Sequence, residues 1–273
     1  MTYDVLGAGA LDYLPCRYGT SRLLFRGPRR DLDQPYVAFI GGTETYGKFV
    51  QRPFPALVEE RLSMPCVNFG FINAGVDVFV HDPFVCKAAT GARVTVVQIM
   101  GAQNMSNRFY AVHPRRNDRF TGAATLLQTI YREVDFSNFN FTRHMLGHLQ
   151  SISSERFEVV REELRQAWTA RMRTLLSRIG GKVVLLRVKG TEDADTQDRF
   201  GPEPLFVTPD MVAEAATHAT AVVDVTPSPE ALAAGTRGMV FSDLETPAAR
   251  LVPGPDIHAE VADAVAEAVQ ALI

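Results

Sequence analysis

Short apolar runs alternate with longer amphipathic stretches along the chain. The runs are rich in β-branched and aromatic residues and are bounded by glycine, proline or polar residues, which predicts buried strands. They occupy residues 36–40, 66–70, 94–100, 182–188 and 220–226. Because long connections separate them, the strands are expected to lie parallel, with helices on both faces of the sheet. The pattern therefore predicts a three-layer α/β domain with a mostly parallel central sheet.

The amphipathic stretches predict the helices, and residue types mark some of the helix ends. Apolar residues recur at helical spacing in four segments, 54–62, 155–179, 209–218 and 257–273. Ser154 is expected to cap the longest of these helices, and Gly180 with Gly181 is expected to end it.

Two regions depart from the alternation of strand and helix. Residues 104–150 are polar and aromatic, and we expect a helical insertion over the sheet edge, with helices near 123–133 and 142–150. Residues 1–35 predict an irregular arm, and its basic run, which includes Arg26, is expected to lie on the solvated surface. No linker divides the rest of the chain. Residues 36–273 are therefore expected to form a single domain on which the arm packs.

The composition narrows the class of protein. Of 273 residues, 46% are apolar and 22% are charged, and the net charge of −3 gives no general attraction for nucleic acid or anionic membranes. Three cysteines, an odd number without metal-ligand spacing, favour free thiols in a reducing compartment. We recognise neither a signal peptide nor an apolar run of membrane-spanning length. The chain is therefore expected to be soluble and cytoplasmic, with no nucleic-acid or membrane partner.

A glycine pair follows the first strand, and three more short motifs occur at strand ends or near a helix start. Glycine can adopt backbone angles that would hold Thr43 out of a tight turn above the sheet. The four motifs are Gly41-Gly-Thr43, Asn68-Phe-Gly-Phe-Ile-Asn-Ala-Gly75, Gly101-Ala-Gln-Asn104 and Asp256-Ile-His258. In this order they resemble the sequence blocks of the SGNH (GDSL-like) hydrolases. The resemblance implies a flavodoxin-like arrangement of the three layers.

The resemblance also implies an esterase or acyl-transfer enzyme that acts on a small ester, such as an O-acylated carbohydrate. Thr43 falls at the position of the nucleophile, His258 at that of the general base, and Asp256 beside it as the orienting acid. Gly70 and Gln103 would donate hydrogen bonds to the oxyanion. Contacts with the substrate are expected from six further residues, Gly42, Glu44, Asn73, Asn104, Arg108 and Arg115.

Three positions depart from the pattern of the SGNH hydrolases. Thr43 stands in place of serine, and its methyl group restricts χ1 and crowds the approach of a carbonyl carbon. Gln103 stands in place of asparagine. Asp256 precedes His258 by two residues instead of three, so Glu44 remains an alternative acid. A second hypothesis is therefore an SGNH fold with altered or lost hydrolysis that binds a carbohydrate or, through the arginines after residue 104, an anion.

A third hypothesis is a Rossmann-type nucleotide enzyme. The chain lacks the Gly-x-Gly-x-x-Gly pattern after its first strand, and no acidic residue clearly ends the second strand. His144 and His148 have the spacing of zinc ligands on a helix, but Met145 stands where a zinc protease has glutamate, and a third ligand is not evident. We therefore expect neither a metal nor an organic cofactor. The sequence gives no indication of the oligomeric state.

Overall fold

A computed structural model describes residues 11–189, 200–201 and 203–273. The first ten residues of the predicted arm lie outside the described residues. The strands of the described chain are β1 (Val37–Ile40), β2 (Cys66–Asn68), β3 (Val94–Gln98), β4 (Tyr110–His113), β5 (Arg116–Ala123), β6 (Val183–Val188) and β7 (Ala221–Val225).

Five of these strands form one parallel sheet in the order β2-β1-β3-β6-β7. Val37 of β1 aligns with Cys66 of β2 on one side and with Val94 of β3 on the other. When the strands of the separate β4–β5 sheet are left out of the numbering, this is the order 2-1-3-4-5, one of the two common orders of doubly wound α/β sheets. All residues of β1, β2 and β3 are buried, because both faces of the sheet are covered. Strands in such a sheet are largely apolar.

The α-helices of the described chain are α1 (Thr43–Tyr46), α2 (Phe54–Leu62), α3 (Val76–Val80), α4 (Pro83–Gly91), α5 (Thr125–Ile130), α6 (Thr142–Ile152), α7 (Ser154–Ile179), α8 (Pro209–Ala216), α9 (Pro229–Ala234), α10 (Thr246–Ala249) and α11 (Pro255–Gln270). Two short 3₁₀ helices cover Phe136–Asn138 and Asp243–Glu245.

Alternate residues of the central strands enter two separate cores. Ala38 and Ile40 join the core that includes side chains of α3, α4 and α7. Val37 and Phe39 join the core on the other face, which is formed with α2 and α11. The predicted three-layer α/β domain with a mostly parallel sheet is therefore confirmed. No helix among the described residues is both long and apolar enough to cross a membrane.

The longest helix, α7, crosses one face of the sheet. Its N-cap is Ser153, whose hydroxyl accepts a hydrogen bond from the Arg156 N–H at 3.2 Å, so the predicted cap at Ser154 is one residue too late. The helix ends at Gly180, which has a φ of 58°, as the sequence predicts. Trp168 is fully buried and donates from Nε1 to the Met100 carbonyl oxygen at 2.7 Å. This bond ties α7 to the chain that leaves β3.

The segment between β3 and α7 differs from the expected helical insertion. Helices α5 and α6 correspond to the predicted helices near 123–133 and 142–150. However, β4 and β5 form an antiparallel hairpin with irregular register that the sequence pattern did not predict. Strand β5 buries Asn117 and Phe120, which are three positions apart, so it lacks the alternation that marks a strand.

The described part of the arm contributes to the core. Tyr18 and Phe25 are buried, and both rings contact Phe69 at centroid distances of 5.3 and 5.2 Å. Arg26 is also buried, although the basic run was expected on the solvated surface. Its guanidinium donates to carbonyl oxygens at the end of α1 and beyond it, and these bonds replace its lost contacts with water.

Candidate functional site

Thr43 lies at the carboxyl edge of the sheet, where β1 turns into α1. Thr43 is the first residue of α1 and is half-buried. The turn requires glycine at position 41, because a Cβ atom there would lie 2.1 Å from the Thr45 Oγ1 atom and 2.4 Å from the Gln98 Oε1 atom. Gly47 ends α1 with a φ of 73°, in the left-handed region. Position 41 therefore requires glycine because of close packing, and not because of a left-handed backbone, since Gly41 and Gly42 do not have positive φ. Thr43 was expected to be exposed and is half-buried.

Gln98, the last residue of β3, holds this turn in place. Its Oε1 atom accepts from the Gly42 N–H at 3.0 Å, the Thr45 N–H at 3.3 Å and the Thr45 hydroxyl at 2.5 Å. Its Nε2 atom donates to the Glu44 carboxylate at 2.8 Å. The side chain is 5% exposed. Gln98 was not among the predicted site residues; the signal that could have found it is an amide side chain inside the apolar run 94–100.

The Thr43 hydroxyl is bonded to Asn73. It donates to the Asn73 Oδ1 atom at 3.3 Å and accepts from the Asn73 backbone N–H at 2.9 Å. Asn73 has a φ of 55°, a backbone conformation that asparagine tolerates better than most residues. The Asn73 Nδ2 atom donates in turn to the Asp118 carboxylate on β5 at 3.2 Å. The hydroxyl therefore has an amide, and not an imidazole, as its hydrogen-bond partner.

Asn104 completes this polar group. Its Nδ2 atom donates to the Asn73 carbonyl oxygen at 3.2 Å, and its Oδ1 atom accepts from the Thr142 hydroxyl at 2.8 Å. The structure thus brings together three predicted site residues, Thr43, Asn73 and Asn104. It adds Asp118 and Thr142, which were not predicted because neither belongs to one of the four motifs.

The two predicted oxyanion donors are differently placed. The Gly70 N–H donates to the Asn68 Oδ1 atom at 2.8 Å, so it is already used inside the protein. Gly70 also packs closely on α1, because a Cβ atom there would lie 2.3 Å from the Tyr46 nitrogen. The Gln103 Oε1 atom is buried and has no hydrogen-bond partner within the described part of the chain. Its backbone carbonyl accepts from the Tyr110 hydroxyl at 2.6 Å.

His258 lies in the core between the sheet, α2 and α11. The residue is 2% exposed, and its Nδ1 atom accepts from the Phe54 N–H at 3.1 Å. Its ring stacks on the Phe54 ring at a centroid distance of 5.7 Å. Burial lowers the pKa of His258 from 6.5 to about 3, and the charge of Arg26 acts in the same direction. The imidazole is therefore neutral in the folded protein over the ordinary pH range.

Asp256 is not the partner of this imidazole. Its carboxylate accepts from the exposed Arg237 guanidinium at 2.9 Å. Helix α11 begins at Pro255, two residues before the expected start, so Asp256 and His258 are both helical. Residues two apart on a helix point about 200° away from each other. The two side chains therefore face different surroundings, with Asp256 outside and His258 inside.

The two predicted arginines do not form one cationic pocket. Arg108 donates from its backbone N–H and its Nε atom to the carboxylate of Glu163, at 3.0 and 2.5 Å, and Glu163 is 5% exposed. Arg108 thereby neutralises a buried charge on α7. Arg115 is exposed in the turn of the hairpin, and its backbone N–H donates to the His113 Nδ1 atom at 3.2 Å.

The arrangement gathers polar groups at the edge of the sheet. They are the hydroxyl, amide and carboxylate groups of Thr43, Glu44, Asn73, Asn104 and Asp118. In the described ranges, no three His, Cys, Asp or Glu side chains are grouped so that they could hold a metal ion.

Several solved structures are similar to this chain. A protein of the G-D-S-L family from Desulfitobacterium hafniense DCB-2 is 13% identical, with a TM-score of 0.41, and the match covers 86% of this chain and 99% of that one. A catalytic mutant of an acetylxylan esterase from Geobacillus stearothermophilus is 16% identical, with a TM-score of 0.40 and coverage of 86% and 94%. A carbohydrate esterase family 2 enzyme from Corynascus thermopiles (Myceliophthora fergusii) is 12% identical, with a TM-score of 0.38 and coverage of 90% and 69%.

A comparison with curated proteins finds no match. A comparison with protein-family models finds one over the whole length, residues 1–273. The chain belongs to the family described as a domain of unknown function, DUF6473.

Proposed function

We propose that the protein binds a small polyhydroxylated ligand, such as a carbohydrate or its ester, at the carboxyl edge of the sheet. In this proposal Thr43 is a binding hydroxyl and not a nucleophile that His258 deprotonates. The observation that carries it is the hydrogen bond of the Thr43 hydroxyl to the amide oxygen of Asn73, at 3.3 Å. An amide oxygen is too weak a base to remove a hydroxyl proton, whereas nucleophilic catalysis needs such a base beside the nucleophile.

The surrounding groups also favour a neutral ligand over an anion. Sugar hydroxyls both donate and accept, and the edge presents hydroxyl, amide and carboxylate groups that pair with them. Glu44 and Asp118 add negative charge near Thr43. Arg108, which could have attracted an anion, is bonded to Glu163.

The second candidate is ester hydrolysis or acyl transfer by the residues that the SGNH resemblance implies. Its support is the position of Thr43, a half-buried hydroxyl at the end of β1 on a turn of glycine residues. This chemistry would require His258 to leave its bond with Phe54 and reach Thr43. It would also require the Gly70 N–H to leave Asn68, with Gln103 as the other oxyanion donor.

One set of variants tests both candidates. Hydrolysis of p-nitrophenyl acetate and butyrate is measured for the wild type, Thr43→Ser, Thr43→Val and His258→Asn, with folding checked by circular dichroism. We expect all four rates to equal the buffer rate. In parallel, ligand-observed NMR measures the binding of the methyl glycosides of glucose, galactose, mannose and xylose. We expect binding by the wild type and its loss in Thr43→Val, which keeps the shape of threonine without the hydroxyl.

The outcomes separate the two candidates. Wild-type turnover that disappears in folded Thr43→Val and His258→Asn would establish the hydrolase. Turnover in Thr43→Ser alone would mean that the methyl group of Thr43 blocks an otherwise competent site. Absence of binding to every glycoside by the wild type would overturn the leading proposal.

A further inference from the structure

We infer that Asp118 determines which ligands the Thr43 site accepts, by making that site a hydrogen-bond acceptor for two hydroxyl groups of the ligand. This inference rests on the proposed function and narrows the ligand to one that carries at least two hydroxyl donors. Asp118 lies on β5 in the insertion, and its carboxylate accepts from the Asn73 Nδ2 atom at 3.2 Å.

The first step concerns the orientation of the Asn73 amide. An ionised carboxylate only accepts hydrogen bonds, so the side of the amide that faces Asp118 must be its NH₂ group. The opposite side, the Oδ1 atom, then faces the Thr43 hydroxyl at 3.3 Å. Because the Asp118 carboxylate can only accept, it fixes which side of the Asn73 amide faces Thr43.

The second step concerns the Thr43 hydroxyl. Its single hydrogen is donated to the Asn73 Oδ1 atom, and one of its two lone pairs accepts from the Asn73 backbone N–H at 2.9 Å. A hydroxyl has one hydrogen and two lone pairs, so one lone pair is left for a ligand. Thr43 can therefore accept a hydrogen bond from a ligand but has no hydrogen left to donate.

The third step concerns the rigidity of Asp118. Its neighbour Asn117 is fully buried and accepts from the Gly75 and Val78 N–H groups at 3.2 and 3.1 Å. The Asn117 Nδ2 atom donates to the His113 carbonyl oxygen at 3.1 Å, across the hairpin. These bonds attach β5 to the loop that carries Asn73. Asp118, the next residue of the strand, is thus held at a fixed place beside Thr43.

The ligand chemistry follows from these steps. Within the described residues, the Asp118 side chain makes only the hydrogen bond to Asn73, and neither of its oxygens is both buried and unpaired. Thr43 and Asp118 therefore offer two acceptors joined through one amide. A ligand that satisfies both must bring two donors, as the hydroxyl groups of a sugar do. The carbonyl group of an ester would find no donor at these two atoms.

The experiment uses methyl glycosides and their fully O-methylated counterparts, which keep the ring and the oxygens but lack every hydroxyl donor. Dissociation constants are measured by ligand-observed NMR for the wild type, Asp118→Ala and Asp118→Asn, with Asp33→Ala as an exposed-carboxylate control. Asp118→Ala should raise the dissociation constant of the glycosides about tenfold, the effect of losing one hydrogen bond to a charged group. Asp118→Asn can still accept from Asn73 and should raise it less, and Asp33→Ala should leave it unchanged.

A second readout reports the positioning of Asn73 itself. The side-chain amide signals of Asn73 in ¹⁵N-correlated NMR spectra, assigned by their loss in Asn73→Ala, should shift in Asp118→Ala and stay near their place in Asp118→Asn. Equal binding of methylated and unmethylated glycosides would overturn the inference. So would wild-type affinity in Asp118→Ala, although glycoside binding itself would then still support the proposed function. A wild type that binds none of these glycosides would overturn both.

Discussion

The imidazole of His258 accepts a hydrogen bond from the backbone N–H of Phe54, at a distance of 3.1 Å. The N–H belongs to the first turn of α2, where backbone donors have no partner within the helix. His258 comes from the first turn of α11. His258, which the SGNH resemblance implies as a general base, therefore joins the N-terminal ends of two helices that pack on the same face of the sheet.

Removal of this imidazole should destabilise the fold. His258→Ala leaves a cavity against Phe54 and an unpaired buried N–H, so we expect the free energy of unfolding to fall by about 2–4 kcal/mol. His258→Asn places an amide oxygen near the position of Nδ1 and should lose clearly less. Urea titration followed by circular dichroism measures both values. Equal losses in the two variants would contradict a role for the Phe54 hydrogen bond.

The same residue should make the protein sensitive to acid. Folding lowers the pKa of His258 from 6.5 to about 3, so the unfolded chain binds the extra proton first. The resulting stability is fully present above pH 6.5 and is lost as pH falls toward 3, at up to about 1.4 kcal/mol per pH unit. Urea titrations at pH 7, 6, 5 and 4 measure this slope. The slope should be smaller in His258→Asn by that amount, and identical slopes would refute the assignment.

Removal of the Gln98 amide should destabilise the Thr43 turn and lower the free energy of unfolding. Gln98→Met keeps the volume of the side chain but leaves the Gly42 and Thr45 N–H groups without their acceptor. We expect a loss of about 3 kcal/mol in the free energy of unfolding, since each buried unpaired donor costs about 1–3 kcal/mol. The exposed Gln128 provides the control, and Gln128→Met should change stability by less than about 0.5 kcal/mol. A similar small change in Gln98→Met would show that the turn holds without this amide.

Asn117 should determine whether the hairpin stays attached to the start of α3. Asn117→Ala removes the acceptor for the Gly75 and Val78 N–H groups, and we expect a loss of about 2–4 kcal/mol. Hydrogen exchange read by mass spectrometry should become faster in residues 73–80 and in the hairpin, because both surfaces lose their connection. Asn138→Ala, at an exposed position of the same insertion, should leave exchange unchanged. Unaltered protection in Asn117→Ala would mean that apolar packing alone holds the hairpin.

The sheet was predictable because its strands are short, apolar and separated by long connections. Val94–Gln98 is buried along its whole length, and its β-branched residues mark it in the sequence. The hairpin was not predictable in this way, since its buried residue Asn117 is polar and is held by hydrogen bonds. A polar residue that replaces an apolar one at a buried strand position removes the periodic signal.

The position of Thr43 followed from the glycine pair after a strand, but the surroundings of His258 did not follow from its motif. Asp256 and His258 are two positions apart in the sequence, whatever conformation their segment adopts. Whether they form an extended loop or a helical turn decides if they face one site or opposite directions. Pro255 is favoured at the first position of a helix, and it was the available sign that α11 begins early.

Arg26 lies in the arm and donates to the carbonyl oxygens of Tyr46, Gly47 and Gln51. Arg26 precedes the first strand in the chain. Its guanidinium therefore holds the C-terminal part of the segment that begins with Thr43. A shortened protein that starts at residue 36 would keep every strand of the sheet and still lose this support. Any transfer of the Thr43 turn to another scaffold must accordingly carry the arm along with it.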